Sequence, residues 1–331
     1  MHMADALIST PVALAAGAAA TTLLGIAGYK VNKQKGENSR IVPLMGVLGA
    51  FIFAAQMINF TIPGTGSSGH IIGGVLLAAF LGPWAAFLTL SSVLIIQCLV
   101  FADGGLLALG CNILNMGAMS TLVAYPLIFR PLTSHKAPGA LRLMIASVLA
   151  CLVGIELGAC CVTLETELSG ITALPTSTFL AVMTGIHLAI GLGEGLATGA
   201  ILCFVLRTRP DLLATDRIRS TSSGRRSMKN VLIGFGIATI ALGGGLAFFA
   251  SEYPDGLEWS IQKLTGSTEL AATHADSITT SLESVQKATS VMPDYDSSFS
   301  GILGALMVII LVWSITSLLT AGRRRRLSSE G

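Results

Sequence analysis

Charged side chains are scarce in this sequence, and their scarcity excludes a water-soluble domain. Only 11% of the 331 residues are charged and 6% are aromatic, whereas 52% are hydrophobic and the mean hydropathy is +0.75. A soluble protein carries about twice that share of charge. Because the apolar runs are long and do not alternate, the sequence predicts an all-α, polytopic membrane protein. The runs of spanning length cover residues 5–29, 41–60, 71–101, 105–129, 140–165, 176–206, 230–250 and 301–320.

Motifs for ATP binding, zinc peptidase chemistry and metal fingers are also missing. There is no GxxxxGK[ST] loop and no HExxH sequence. The six cysteines show no CxxC spacing and lie in apolar runs, where we expect them to pack. If the protein takes part in ATP-driven transport, the ATPase is therefore a separate chain. The pI near 8.2 is explained by basic loops beside anionic lipid, without a nucleic-acid partner.

The basic residues are confined to a few clusters, which orients the predicted helices. Cytoplasmic loops of membrane proteins carry an excess of Lys and Arg. We therefore expect the clusters in the cytoplasm, with Met1 and the acidic segment 251–299 outside. All lysines and arginines except Lys263 and Lys287 fall within residues 30–40, 130–142, 207–229 and 323–326.

This orientation requires an odd number of crossings between the outer loop 61–70 and Arg130. The apolar run 71–101 is broken at Gly82-Pro83, where a helix cannot continue undisturbed. Two elements in this run, or a re-entrant pair, give the required number. We expect seven crossings before the basic stretch that follows the sixth run and two after it, about nine membrane segments in all.

The polar, basic stretch 208–228 divides the chain into two parts. Its Ser, Gly and Arg residues are typical of a flexible cytoplasmic linker. Residues 1–207 form the seven-helix unit, and residues 229–322 form a two-helix hairpin. The outer segment of the hairpin, 251–299, has few large apolar residues and can fold little core of its own. Residues 323–331 form a cytoplasmic tail.

Met1 and His2 form a chelating group if the terminal amine is free. The opening MHMADALIST lacks the basic region of a removable signal, so we expect Met1 to be retained. The amine, the backbone nitrogen of His2 and its ring nitrogen close a five- and a six-membered ring around one ion. Such nitrogens suit square-planar Ni(II) or Cu(II). The alternative is a chain start with no such role.

His70 lies in PGTGSSGHIIGG, on the same predicted outer side as Met1. A histidine there can add a further nitrogen to the chelate of the N-terminus. The alternative is that His70 only caps the helix that follows.

Polar side chains within membrane spans are costly to bury, so they are candidates for function. His187 and Glu194 lie seven residues apart, which is two helical turns, and so share a face. Asn112 and Asn115 follow the turn that contains Asp103. The alternatives are hydrogen bonds between helices for His187 and Glu194, and a turn with the following glycines for Asp103.

Small residues recur at helical spacing in the run before the linker. Gly191, Gly195 and Gly199 lie four residues apart. This spacing lets two helices approach within van der Waals range. It predicts helix packing and carries no information about a substrate.

Several stretches together resemble one family of membrane proteins. MH at the terminus, PGTGSSGHIIGGVLLAAFLGPWAAF, FADGGLLALGCNILNMG and IHLAIGLGEGLATG occur in order within residues 1–207. They resemble the substrate-binding membrane component, of CbiM/NikM type, of energy-coupling-factor (ECF) importers for nickel or cobalt. EYPDGLEWSI at 252–261 and MPDYDSSFSGILGALMV at 292–308 resemble the small PDGLE (CbiN/NikN-like) component. The chain looks like a fusion of the two.

The resemblance implies a ligand set for the metal. In that family the N-terminus is threaded into the helical bundle, where it binds the ion with the terminal amine and with the backbone nitrogen and ring of the second residue. A histidine of the SGH loop completes the set. In this sequence the corresponding residues are Met1, His2 and His70, and four nitrogens in a plane suit Ni(II), while Co(II) can use the same donors.

Three polar side chains are candidates for orienting these ligands: Asn112, His187 and Glu194. One departure from the family is visible at the start of the chain. The family usually begins MHIPDG, whereas this chain begins MHMADA and retains only Asp5 of the last three residues.

The resemblance also implies a transporter subunit without enzymatic activity or a resident cofactor. Its transported substrate would be Ni²⁺, with Co²⁺ uptake for cobalamin synthesis as the alternative. Its partners would be an ECF transmembrane coupling component and ABC-type ATPase chains in the cell membrane. Two other classes are alternatives: a membrane metalloenzyme using His70, His187 and Glu194, and a structural membrane protein.

Overall fold

The computed structural model describes residues 1–37, 41–134, 138–214, 228–270, 276–295 and 299–329. This part of the chain is almost entirely helical, as predicted. One antiparallel hairpin joins β1 (Phe60–Ile62) to β2 (Ser67–Gly69). The helices, in chain order, are α1 (Thr10–Glu37), α2 (Ile41–Gln56), α3 (Gly74–Leu81), α4 (Pro83–Phe101), α5 (Leu109–Thr133), α6 (Ala140–Ser169), α7 (Thr176–Thr208), α8 (Met228–Gly244), α9 (Gly256–Thr265), α10 (Ser277–Thr289) and α11 (Ser300–Ser329).

The lengths of these helices identify a multi-pass membrane protein. Six of them, α1, α4, α5, α6, α7 and α11, contain apolar stretches long enough to cross a membrane. Helices α2 and α8 are apolar but shorter. The total of about nine crossings stays a prediction, as do the boundaries of the parts 1–207, 208–228, 229–322 and 323–331. Residues 215–227 of the linker lie outside the described residues.

The opening residues do not belong to α1, although the sequence predicts a span from residue 5. Asp5–Leu7 forms a single 3-10 turn, and the side chains of Met3 and Leu7 are fully buried. Helix α1 begins at Thr10, directly before Pro11, and a proline is well tolerated in the first turn of a helix. The segment before α1 can therefore fold back into the bundle.

The predicted break at Gly82-Pro83 is confirmed. Helix α3 ends at Leu81, and Gly82 adopts a φ of 80°, which glycine reaches without steric cost. Pro83 then starts α4, where its missing N–H is not needed.

The break lets α3 and α4 run through the bundle in opposite directions. At one end, Gln34 of α1 donates to the Leu81 carbonyl at 3.5 Å, and the Lys30 ammonium lies 5.9 Å from the centre of the Trp84 ring. At the other end, Gln97 of α4 lies beside His2, and α3 begins at Gly74, shortly after His70. The run 71–101 thus forms two helices rather than one.

Helices α6 and α7 pack closely through the predicted glycine face. A Cβ at Gly191 would lie 3.3 Å from the Leu152 Cα, and one at Gly199 would lie 3.2 Å from the Met144 Cα. Gly195 between them faces the Val148 backbone. The backbones can approach this closely only because these positions lack side chains.

The C-terminal part docks on the first part at two places. Helix α11 packs against α2 and α4, and α8 packs against α2. The outer segment contains α9 and α10, which Asp255 and Asp276 cap at their N-termini. Helix α9 buries Leu257 and Ile261 where it packs on α7. The outer segment thus finds its apolar contacts on the seven-helix unit, in agreement with its low content of large apolar residues.

Gly304 marks a close contact between α11 and α2, because a Cβ there would overlap the buried Phe53 ring. We expect Gly304→Leu to displace Phe53 and to undock the C-terminal part, since inserting atoms into a packed core costs about 1–3 kcal/mol or more. The measurement is co-purification of the two parts after cleavage at a protease site inserted within 215–227. Gly236→Leu is the control, because Gly236 of α8 has open space around it. Equal co-purification of both variants would contradict the expectation.

Candidate metal-binding site

Hydrogen bonds to α5 and to the loop before it hold the N-terminal segment inside the bundle. The Met3 N–H donates to Asn112 Oδ1 at 2.8 Å, and Asn112 Nδ2 donates back to the Met3 carbonyl at 3.2 Å. Asp5 Oδ1 accepts from the Ala108 N–H at 3.0 Å. Asn112 therefore fixes the backbone one residue from His2, and the retained Asp5 fixes the turn that follows.

Two glycines of the loop 102–108 let the segment approach this closely. Gly104 has a φ of 82°, and a Cβ there would lie 3.2 Å from the His2 Cβ. Gly105 donates its N–H to the Met3 carbonyl at 2.9 Å, and a Cβ there would overlap Asp5. Larger residues at either position would push the N-terminal segment away.

The His2 ring lies between two acceptors. Its Nδ1 is 3.1 Å from Asp103 Oδ1, and its Nε2 is 3.3 Å from Gln97 Oε1. Burial lowers the pKa of His2, against the opposing effect of Asp103. The ring is therefore neutral at neutral pH, so it carries one proton and donates to one of these two acceptors. The other ring nitrogen keeps its lone pair, as metal binding requires.

His70 stacks on His2, with ring centres 5.5 Å apart and ring planes at 18°. Burial, together with the Met1 ammonium and His2, lowers the pKa of His70 to about 4. The contact of Nδ1 with the Ile71 carbonyl, at 3.2 Å, assigns the ring proton to Nδ1. The lone pair of Nε2 is then available to an ion.

The terminal amine of Met1 lies beside these rings and contacts a residue of the C-terminal part. Its nitrogen is 2.5 Å from Asp255 Oδ2. Burial alone would raise the pKa of Asp255, but the Met1 ammonium and the Glu258 N–H outweigh burial and hold it well below its usual range. The carboxylate is therefore ionised.

Buried amide side chains connect His2 to the backbone that follows His70. Gln97 Nε2 donates to Gln56 Oε1 at 2.8 Å, and Gln56 Nε2 donates to the Ile72 carbonyl at 2.9 Å. Because Gln97 Oε1 faces the His2 ring, the two glutamines link both histidines through a chain of hydrogen bonds. Satisfied buried networks of this kind hold side chains in one arrangement.

Glu194 holds the same backbone from the other side. Its carboxylate accepts the N–H groups of Ile72 and Gly73 at 3.0 and 2.9 Å, and the side chain is 1% exposed. The predicted candidate Glu194 thus fixes the segment that begins with His70. Hydrogen bonds to a charged group are among the stronger ones in proteins.

The candidate His187 does not line the cavity that contains His2 and His70. Its Nδ1 is bonded to the Met183 carbonyl at 2.8 Å, within α7. The ring packs against Gly256, where a Cβ would lie 3.0 Å from His187 Nε2. His187 therefore contacts the C-terminal part, and it reaches the site through Gly256 and its neighbour Asp255.

The two histidines and Asp255 line a cavity of about 860 Å³. Its walls include the N-terminal segment, the end of α4 and residues of α9 and α10. Among the described residues no lysine or arginine lines it, so its charge favours cations. The acidic side chains that line it are Asp5, Asp103, Asp255, Glu258, Glu269 and Glu283.

The candidate metal donors at this site are nitrogens rather than a cluster of ionisable side chains. Within the described ranges, no three His, Cys, Asp or Glu side chains come together as a metal-ligand group. An ion bound here would need the Met1 amine and the His2 backbone nitrogen in addition to the rings. Nitrogen donors suit late first-row divalent ions.

Sequence reasoning missed three residues of the site: Asp255, Gln56 and Gln97. Asp103, for which a turn was the alternative, contacts His2 and also accepts from the Tyr295 hydroxyl at 2.6 Å. Gln56 and Gln97 are amides in apolar helices, which is a signal that could have been used. Nothing in the sequence pairs Asp255 with residue 1.

Glu194 offers a test of how firmly the His70 segment is held. We expect Glu194→Ala to lower the free energy of unfolding by about 3 kcal/mol, because two buried N–H groups lose a charged acceptor. The measurement is denaturant or thermal unfolding in detergent. Glu167→Ala is the control, since Glu167 is exposed and its carboxylate accepts from the Thr176 hydroxyl. A loss no larger than that of the control would contradict the role of Glu194.

Both parts of the chain match known protein families. Residues 2–212 match the family model CbiM, described as a cobalt uptake substrate-specific transmembrane region. Residues 229–321 match the PDGLE domain. A crystal structure of a truncated transition metal transporter superposes with a TM-score of 0.55 at 34% identity, covering 62% of this chain and 99% of that chain.

Two curated relatives also combine the two parts in their names. The chain is 34% identical over 213 residues to a putative fused nickel transport protein NikMN of Archaeoglobus fulgidus, covering 64% of this chain and 68% of the relative. It is 31% identical over 270 residues to a probable fused nickel transport protein LarMN of Lactiplantibacillus plantarum, covering 80% and 79%. The chain belongs to the CbiM family of substrate-specific transmembrane components, fused to a C-terminal PDGLE domain.

Proposed function

We propose that this chain captures Ni²⁺ for uptake, with the Met1 amine, the His2 backbone and ring nitrogens and the His70 ring as ligands. The Met1 ammonium and the His2 amide each release a proton to water when the ion binds. Its family consists of transport components, and the related proteins are named transport proteins rather than enzymes. The metalloenzyme and purely structural alternatives are therefore set aside. The ion is the transported substrate, and the protein has no resident cofactor in this proposal.

The observation that carries the proposal is the meeting of the chain terminus and two neutral histidine rings in one buried place. With the His2 proton on Nε2, facing Gln97, the Nδ1 lone pair closes the six-membered chelate ring with the backbone nitrogen. His70 Nε2 is the fourth donor. Asp103 and Asp255 place negative charge beside the dication.

We further propose that the cavity end of the bundle faces outward. The charge pattern supports this orientation, because Lys30 lies at the opposite end of the bundle, beside Trp84. The start of the basic linker lies there too, since the Ala214 N–H donates to the Ala79 carbonyl at 2.7 Å. Release into the cytoplasm then requires ECF-type coupling and ATPase chains, which this sequence does not contain.

Cobalt is the second candidate substrate. A relative in Methanocorpusculum labreanum, 28% identical over 186 residues, is named a putative cobalt transport protein. Nickel is placed first because the fused relatives carry nickel in their names, and because planar nitrogen donors suit Ni(II). Metal content after growth with both ions, measured by mass spectrometry, distinguishes the two.

The ligand assignment is tested by His2→Ala and His70→Ala. We expect each variant to lose stoichiometric Ni²⁺ binding in purified protein, because each removes one of four donors. The measurement is isothermal titration with metal analysis of the bound fraction. His274→Ala, at a histidine outside the described residues, is the control and retains one ion per chain. Tight binding by either ligand variant would refute the assignment.

The role of the amine is tested by adding Gly-Ser before Met1. We expect loss of Ni²⁺ binding, because the amine leaves the chelate and Met1 is only 4% exposed. Two residues are added because one would place His2 third in the chain, where the amine, two backbone nitrogens and the ring form a chelate of their own. The control is the same chain with the extension removed by a protease. Wild-type affinity in the extended chain would exclude the amine as a ligand.

A further inference from the structure

We propose that Asp255 of the C-terminal part positions the terminal amine of Met1, so that both parts of the chain build the capture site. The effect of Asp255 on metal affinity rests on the proposed function. The contact itself is independent of that function, because it joins two groups within the protein. Asp255 acts here as a positioning residue and does not bind the ion.

The two carboxylate oxygens of Asp255 accept hydrogen bonds from different donors. Oδ1 accepts the N–H groups of Leu257 and Glu258 at 2.8 and 2.9 Å and so caps α9. The Glu258 carboxylate accepts the Asp255 N–H at 3.0 Å, which completes a capping box. These bonds fix the carboxylate, and Oδ2 remains for the Met1 amine at 2.5 Å.

The residues before Asp255 are bonded to the hairpin that leads into His70. The Ser68 N–H donates to the Pro254 carbonyl at 2.8 Å, and the Ser68 hydroxyl donates to the Tyr253 carbonyl at 2.7 Å. The indole N–H of Trp259 donates to the Thr65 carbonyl at 3.0 Å. Short bonds on both sides of Asp255 therefore set its position relative to His70.

Gly256 explains how this segment comes near enough to the amine. A Cβ at this position would lie 2.7 Å from Ile190 Cδ1 and 2.9 Å from His187 Cε1. Only a glycine lets the backbone rest against α7 at this point. The neighbouring Leu257 is 2% exposed and adds apolar contact. Each residue of the sequence PDGLE therefore helps to place Asp255 beside the Met1 amine.

The contact is compatible with metal binding by the same amine. A neutral amine offers one lone pair to the ion and retains two N–H groups, and one of these can donate to Asp255 Oδ2. Asp255 then orients the amine both before and after the ion binds. Removing an outer hydrogen-bond partner of a ligand typically weakens metal binding 10–100-fold.

Asp255→Asn tests the proposal, because asparagine still caps a helix but carries no charge. Asp276→Asn is the matched control: Asp276 caps α10, bonds Thr10 and Thr279, and does not line the cavity. One readout is acylation of the Met1 amine in full-length, metal-stripped protein, followed by mass spectrometry of the N-terminal peptide. The other readout is the dissociation constant for Ni²⁺.

We expect faster acylation of Met1 in Asp255→Asn than in the wild type, and a dissociation constant raised about 10–100-fold. Asp276→Asn should match the wild type in both. Asp255→Glu keeps a carboxylate, so its acylation rate should fall between those of the wild type and Asp255→Asn, which separates loss of charge from misfolding.

Unchanged acylation in Asp255→Asn, or equal acceleration in the Asn and Glu variants, would overturn the proposal. Wild-type Ni²⁺ affinity in Asp255→Asn would also overturn it. If His2→Ala and His70→Ala retain metal binding while Asp255→Asn is acylated faster, the ligand assignment fails and the pairing of Met1 with Asp255 stands. The two failures are therefore distinguishable.

Discussion

The buried ion pair between the Met1 ammonium and Asp255 is the interaction on which the rest of the site depends. A chain terminus carries a charge, and burying an unpaired charge is very costly. Met1 is only 4% exposed, so its ammonium needs a fixed carboxylate nearby. Asp255 supplies that carboxylate from residues far along the chain, and Met3 and Asn112 then hold the backbone that follows. The N-terminal segment thereby becomes part of the core.

Around this ion pair, hydrogen bonds from neutral amides and from a carboxylate hold the segments that carry the histidines. The glutamines Gln56 and Gln97 connect the His2 ring to the Ile72 carbonyl without adding charge. Glu194 adds its carboxylate where two N–H groups would otherwise be unsatisfied. These three side chains hold the surroundings of both histidines without contacting the ring nitrogens proposed as ligands, whereas Asp103 contacts His2 Nδ1. A site arranged in this way loses little conformational entropy on binding, which is the physical basis of preorganisation.

The sequence alone predicts much of the framework and little of the pairing. Hydropathy and the proline at position 83 predict the helices and the break between α3 and α4, and the basic clusters place Met1 and His70 at one end. Periodicity carries no information on contacts between distant residues, however, so the partner of Met1 could not be predicted. The capping pattern Asp255-x-x-Glu258 is visible in the sequence, but it accounts for only one oxygen of Asp255. The sequence likewise did not predict that Met3 and Leu7 are buried outside α1. An apolar segment directly before a helix has the same pattern as the first turns of that helix.

The fused architecture follows from where the shared contact lies. Met1 and Asp255 are separated by 254 residues, so their pairing requires the C-terminal part to be docked. Because both parts belong to one chain, their docking is intramolecular and proceeds at an effective concentration of about millimolar. The packing of α11 on α2 supplies apolar burial, whereas Asp255 contributes a polar contact at the wall of the cavity. Both parts of the chain therefore form the cavity, and docking of the C-terminal part completes its walls.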